Sequence, residues 1–362
     1  MVIAGLPPLL IYVATASGFA HWFDSGEFVA AAADFGISHP PGQPLATIVL
    51  GMSNLVPLGS LAFRTTLICA LFTTVAVVAM VFAFDLTFRA GDAIKPSLRF
   101  PLALAAAWWM AGSYAWWFQA VRTEVYAIQA ALLAIAIERL IRASAEGPDG
   151  DVRPLFHAAL AFGLALSNHH FIALLAFVPA AWLLVGIQRT FGWRPLGWSA
   201  AFVSAGLATY LLLPLRSFDD PFLDLGDPST PGRFWWVVTA KAFQKSVAPD
   251  AVAPFGERLA DVMLVAGQDL HVAVAIVALL GAYFMLRVSA TRKYALFWLT
   301  LLLVYVLGRA VLGFVIGNPD ASAYFMLSYA SVGVFAAFAI GVVLSAVAEA
   351  VPSRPRLTPV LA

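Results

Sequence analysis

"FDSGEFVAAAADFGISHPPGQPL", residues 23–45, follows an apolar run, and its reading decides how the rest of the chain is taken. Its first half begins like a helix. Asp24 stands three residues before Glu27, a variant of the capping box, and Gly36 suits the helix end. A short interfacial helix over 25–35 is therefore predicted. The second half is a rigid turn, because Pro40 and Pro41 each fix their own φ and restrict the residue before. His39 is expected to be extended. A capped helix would account for both acids without chemistry. In the competing reading Asp24 and Glu27 share one helical face and act as general base or hold a cation. The stretch alone leaves both open.

The 362 residues are 62% hydrophobic and 11% charged, with 28 Phe and 11 Trp. No soluble domain hides that much apolar surface, so the composition predicts an all-α polytopic membrane protein. A net charge of +1 gives no reason to expect a nucleic-acid partner. The single Cys69 excludes a disulfide framework and a zinc cluster. The first apolar segment lacks a basic leader and a small-residue cleavage site, so it is read as a retained helix.

Stretches near the length of a bilayer crossing fall at 3–20, 62–86, 100–118, 124–142, 155–168, 171–188, 196–214, 271–286, 294–316 and 324–346. About ten crossings are expected. Stretch 44–57 is amphiphilic enough to lie at the interface. With the N-terminus inside, the inner segments collect Arg89, Lys95, Arg99, Arg139, Arg142, Arg153, Arg189, Arg194, Arg287, Arg292, Lys293, Arg354 and Arg356. That bias places a first external loop at 21–61 and a long external loop at 215–270. The membrane domain is expected to run over 1–346, followed by a short tail, 347–362.

Seven mixed polar clusters then share the outer face: "DSGE" at 24–27, "SHPPG" at 38–42, "QAVRTEVY" at 119–126 and "SNHHF" at 167–171, followed by "PLRS" at 214–217, "DLGDPSTPGRFWW" at 224–236 and "GNPDASAYF" at 317–325. One external site explains the sharing; chance would divide them between faces. Each cluster also has a plain reading. Arg122 and Glu124 neutralise one another in a short turn, or Arg122 serves a phosphate group. Adjacent His169 and His170 point about 100° apart on a helix, so one faces the site while the other packs. Asn168 interrupts the span beside them. Arg216 ends an outer helix. The stretch 232–247 reads as an amphipathic helix whose Arg233, Lys241 and Lys245 attract anionic head groups, or as a solvated face. Asp320 is a late acid or a plain turn residue. A phosphate-binding glycine loop, HExxH and a nucleophile elbow are all missing from the chain.

The ordered set "FDSGEF…HPPGQPL", "WWFQAVRTEVYAIQ", "GLALSNHH", "LPLRS", "DLGDPSTPGRFW" and "NPDASAYF" resembles a bacterial and animal family long catalogued as a domain of unknown function. That family is grouped with the protein O-mannosyltransferases of the GT-C glycosyltransferase superfamily. The resemblance covers about residues 20 to 330 and points to a bacterial member. It implies a GT-C fold and a polyprenyl-phosphate-linked sugar as donor. It further implies a protein or lipid acceptor and inversion at the anomeric carbon, at the external face of the cytoplasmic membrane. Asp24 takes the place of the acid that acts at the acceptor, with Glu27 beside it. His39, Arg122, Glu124, Asn168, His169, His170, Arg216 and Asp320 are the candidates for the donor phosphate and substrate. Among these, Arg122 and Arg216 are the favoured phosphate ligands. No metal-ligand spacing is present; a divalent cation stays open because some members of the superfamily need one. A transferase acting on lipid or polysaccharide is the first rival, and a flippase of lipid-linked glycans the second. A transporter would show internal repeats and polar groups near the midplane, whereas here the clusters sit at one interface.

Overall fold

The computed structural model describes residues 1–21, 23–243, 253–268, 270–312 and 319–350, and these are almost wholly helical. In chain order the helices are α1 (Val2–Ala14), α2 (Ser25–Asp34), α3 (Pro44–Gly51), α4 (Leu61–Arg89), α5 (Pro96–Ala111), α6 (Tyr114–Ala120), α7 (Tyr126–Ala145) and α8 (Arg153–Phe191). They continue as α9 (Trp193–Leu207), α10 (Leu212–Ser217), α11 (Pro231–Val238), α12 (Phe255–Gln268), α13 (Val272–Arg287), α14 (Ser289–Leu312) and α15 (Met326–Ala350). The extended pairing among the described residues is a single bridge between Ile37 and Asp224.

Among the described residues, five stretches are long and apolar enough to cross a membrane alone, and six if the bent pair α12–α13 counts as one. Several of the ten expected stretches fall short of that length and composition, for local reasons. Helix α1 has 13 residues. Gly112 and Ser113 break the third stretch into α5 and α6. Helix α7 carries Glu138, Arg139 and Arg142 in its last turns.

Two expected spans are joined in α8, where His169 has non-helical angles (φ −153°, ψ 85°). The rings of Phe162 and Phe177 are nonetheless 5.7 Å apart. A straight helix would separate residues fifteen apart by about 22 Å. The chain therefore reverses at His169, and α8 is a hairpin of two arms. Gly163 and Gly206 permit the packing of α9 on the first arm, since a Cβ at Gly163 would meet the Val203 carbonyl at 2.3 Å.

The bundle has chemically different ends. At one, Lys293 donates to the Ser144 carbonyl and the Lys95 amide to Ser345 Oγ, beside Arg99 and Gly91. At the other lie the starts of α4, α7 and α15 and the bend of α8. There Thr65 meets Thr123 at 2.6 Å, Asn168 Nδ2 reaches the Val125 carbonyl, and Trp116 Nε1 reaches the Met326 carbonyl. The segments expected as the first and the long external loops are pinned together at this end, with Ile37 N–H donating to the Leu223 carbonyl at 2.7 Å.

Candidate active site

Helix α2 forms where the sequence predicts it, but its caps differ from the expectation. Asp24 has helical angles (φ −76°, ψ −7°) and makes no side-chain cap bond. Glu27 does not reach back to it. Instead Glu27 Oε1 accepts from the His39 backbone N–H at 2.6 Å and lies 2.9 Å from His39 Nδ1. At the other end Phe35, not Gly36, is the left-handed residue (φ 49°). Gly36 is required for a different reason: a Cβ there would meet the Leu223 carbonyl at 2.6 Å.

The cap is therefore absent, and Asp24 is left available. Its side chain is 44% exposed and its Oδ2 lies 4.0 Å from His39 Nε2. Behind it sit the carboxylates of Glu124 and Asp320, each with an oxygen in a group of three spanning no more than 4.8 Å. Glu124 is 1% exposed and Asp320 7%. Asp24 is the member of that trio that faces the open side.

Arg122, 2% exposed, holds the buried part together. Its guanidinium donates to Gln119 Oε1 at 3.0 Å, to Glu124 Oε1 at 3.4 Å and to Asp320 Oδ1, and lies over the Phe118 ring. The Arg122–Glu124 turn is thus more than local neutralisation. Two buried donors beside it, Arg122 Nε and Gln119 Nε2, have no hydrogen-bond partner. The backbone of Glu124 is gripped by Cys69, whose Sγ donates to the Glu124 carbonyl and accepts from its amide. Asp320 arrives on a 3-10 segment, Pro319–Phe325, that leads into α15; Gly317 and Asn318 of the same cluster lie outside the described residues.

The three groups in the first loop titrate in opposite senses. Burial raises the Asp24 carboxyl, reinforced by the negative charges of Asp320 and Glu27 and opposed by His39 and Arg122. Burial also works against an ionised Glu27, but the hydrogen bonds and charge of His39 more than offset it, and the carboxyl is lowered. His39 would be lowered by burial; its bond to Glu27 and the charges of Glu27, Asp24 and Asp320 raise it instead. Glu27 and His39 therefore favour an ion pair, while the Asp24 carboxyl is raised above its ordinary value.

The other expected site residues are placed differently. Arg216 donates to the Asp34 and Phe35 carbonyls at 2.6 and 3.0 Å and pairs with Asp34 and Asp219. Its hydrogen bonds clamp the C-terminus of α2, where a cation complements the helix dipole. Asn168 latches α8 to Val125 and Gln129. His169 packs between Tyr126 and Tyr324, 5.7 Å from each ring. His170 is part-exposed, with a buried Nδ1 that lacks a hydrogen-bond partner. Four residues at the site were not in the sequence-derived set: Gln119, Tyr324, Arg309 and Phe243. Arg309 stands 4.2 Å over the Tyr324 ring, and Phe243 meets the His39 ring edge-on at 5.6 Å. Arg309 had a signal, a lone cation in an apolar run; Phe243 had none.

As to a cation, Asp24, Glu27 and His39 offer two carboxylate oxygens and an imidazole nitrogen within 4.8 Å of one another, a donor set that suits a divalent ion when His39 is neutral. The second trio, Asp24, Glu124 and Asp320, already shares the positive charge of Arg122 and does not fit one.

Residues 24–190 match the family model described as the protein O-mannosyl-transferase TMEM260 N-terminal domain. The chain is 30% identical over 203 residues to protein O-mannosyl-transferase TMEM260 of Mus musculus, 54% of this chain and 27% of that protein. It therefore spans about a quarter of that relative. Among solved structures it resembles ArnT from Cupriavidus metallidurans bound to undecaprenyl phosphate, with a TM-score of 0.65 at 14% identity, covering 94% of this chain and 59% of ArnT. The apo form of ArnT gives a TM-score of 0.59 over the same shares. The chain is thus related through residues 24–190 to the protein O-mannosyl-transferases and has the GT-C membrane fold.

Proposed function

We propose that this protein is a glycosyltransferase that moves a sugar, mannose or another hexose, from a polyprenyl-phosphate donor to an acceptor hydroxyl. Protein Ser or Thr is the favoured acceptor, and the reaction runs at the external membrane face with inversion. The observation that carries the reading is Asp24: an uncapped, half-exposed carboxylate of raised basicity above a buried charge network, at one end of a membrane bundle. A hydroxyl is a weak nucleophile at neutral pH. Asp24 takes its proton as the new C–O bond forms at the anomeric carbon. The bond from that carbon to the phosphate oxygen breaks on the opposite side, and the electron pair leaves with the lipid phosphate.

Glu27 and His39 orient this step. His39, held by Glu27 through two hydrogen bonds, presents its Nε2 to Asp24 at 4.0 Å. The departing phosphate gains charge and needs donors; the unpartnered N–H groups of Arg122 and Gln119, and Arg309 on the same side, are the candidates. An apolar cavity of about 550 Å³ between α7, both arms of α8 and α9, lined by Leu133, Phe162, Ala180 and Val203 among others, suits the isoprenoid tail. Relation to the O-mannosyl-transferases and the fold shared with ArnT support the same reading.

The test is direct. Purified protein in lipid nanodiscs is given polyprenyl-phosphate-linked hexoses and a Ser/Thr peptide, and transfer is compared with Asp24→Asn. Transfer by the wild type, lost in the variant, supports the reading. Equal turnover by both removes Asp24 as base, and lipid translocation without sugar transfer replaces the enzyme by a transporter.

A further inference from the structure

Helix α11 buries one face in protein and leaves an aromatic face uncovered. Inward, Val237 is fully buried against Ile37, Tyr210 and Leu213. Outward, Trp235 is 66% exposed and Trp236 37%, with Gly232 between them on the helical wheel. Tyr210 and Leu213 belong to the last turns of the apolar stretch Trp193–Ser217, which meets the test for a membrane crossing. Val237 packs beside them, so α11 lies at the height of the outermost turns of a membrane-spanning helix.

At that height the outward face meets the boundary of head groups and acyl chains, the position tryptophan prefers. Leu215 and Phe222, on the segment leading out of the same apolar stretch, are exposed as well. The expected electrostatic contact is weaker than the sequence implied, because Arg233 is paired with Asp227 at 2.5 Å. Lys245 lies outside the described residues.

We propose that the Trp235–Trp236 face of α11 is a docking surface for the lipid interface, seated in the leaflet on the side of the carboxylate cluster by aromatic insertion. Phe243, five residues beyond α11, touches His39. The seated helix therefore places the site mouth at the lipid surface, where a lipid-borne substrate arrives.

The experiment measures depth and is independent of turnover. Nitroxide labels are placed at Gly232→Cys and Trp235→Cys of the full chain in phosphatidylcholine nanodiscs. A Cβ at Gly232 meets nothing within 4 Å, so that variant does not disturb packing. The native Cys69 is fully buried and does not take the label. Asp149→Cys, in an exposed loop, is the aqueous reference. Expected is an oxygen-to-nickel-chelate accessibility ratio at 232 and 235 at least threefold above that at 149, with no anionic lipid present. A ratio at 232 equal to that at 149 overturns the proposal, as does a raised ratio that appears only when phosphatidylglycerol is added.

Discussion

Glu27 and His39, twelve residues apart, are joined twice through one oxygen: Glu27 Oε1 accepts from the His39 backbone N–H at 2.6 Å and from its Nδ1 at 2.9 Å. The two hydrogen bonds close the first loop on itself and present the opposite ring nitrogen to Asp24. It turns a helix start and a proline turn into one unit.

The pair has a definite pH window. Glu27 is lowered from 4.5, so its contribution is present above that value and is lost as pH falls through its folded value. His39 is raised from 6.5, so its contribution is complete below that value and is lost as pH rises through its folded value. Stability of the first loop, followed by hydrogen exchange over residues 25–43, is expected to peak between about pH 4.5 and 6.5. In Glu27→Gln the His39 value falls, so the alkaline limb of the activity profile moves to lower pH. An alkaline limb that stays in place would show that His39 does not set it.

Asp24→Asn is expected to lower transfer by about 100-fold or more, the range for a lost general base. Because Asp24 makes no cap bond, the midpoint of thermal unfolding stays within about 2 °C of wild type. A large fall in the midpoint would return Asp24 to a structural role.

Arg122→Leu leaves Glu124 and Asp320 buried without their shared cation, and a cost of about 3–5 kcal/mol is expected. The double change Arg122→Leu with Asp320→Leu recovers part of it, because one stranded charge is removed with the other. Unfolding in detergent measures both, and a single variant as stable as wild type would show the network to be energetically idle.

Arg216→Ala frees the C-terminus of α2 without removing any contact to Asp24, Glu124 or Asp320. Amide protection over 31–37 is expected to fall by about tenfold, the equivalent of about 1.4 kcal/mol. If Arg216 serves the donor phosphate after all, the Michaelis constant for the donor rises while amide protection stays unchanged.

Ala180→Trp fills the apolar cavity between α7, α8 and α9. The Michaelis constant is expected to rise by about tenfold for a long-chain donor, about 1.4 kcal/mol of lost apolar contact, and to stay level for a short-chain analogue. An equal rise for both would place the tail elsewhere.

Composition and the spacing of apolar runs determined the class of this protein, its helices and the side on which its polar clusters gather. Those are local properties: a run of about 20 apolar residues has few places to go but a bilayer. The ordered motifs further determined which acids to suspect. Only the tertiary structure decided what each does, because the partners are distant in sequence. Asp24 and Glu27 read as a capping pair until His39 takes Glu27 and leaves Asp24 uncapped. Arg122 meets Asp320 across 198 residues, and Arg216 meets Asp34 across 182, so one arginine joins the site and the other clamps a helix. No periodicity encodes such pairings; they follow from how the bundle brings its loop ends together.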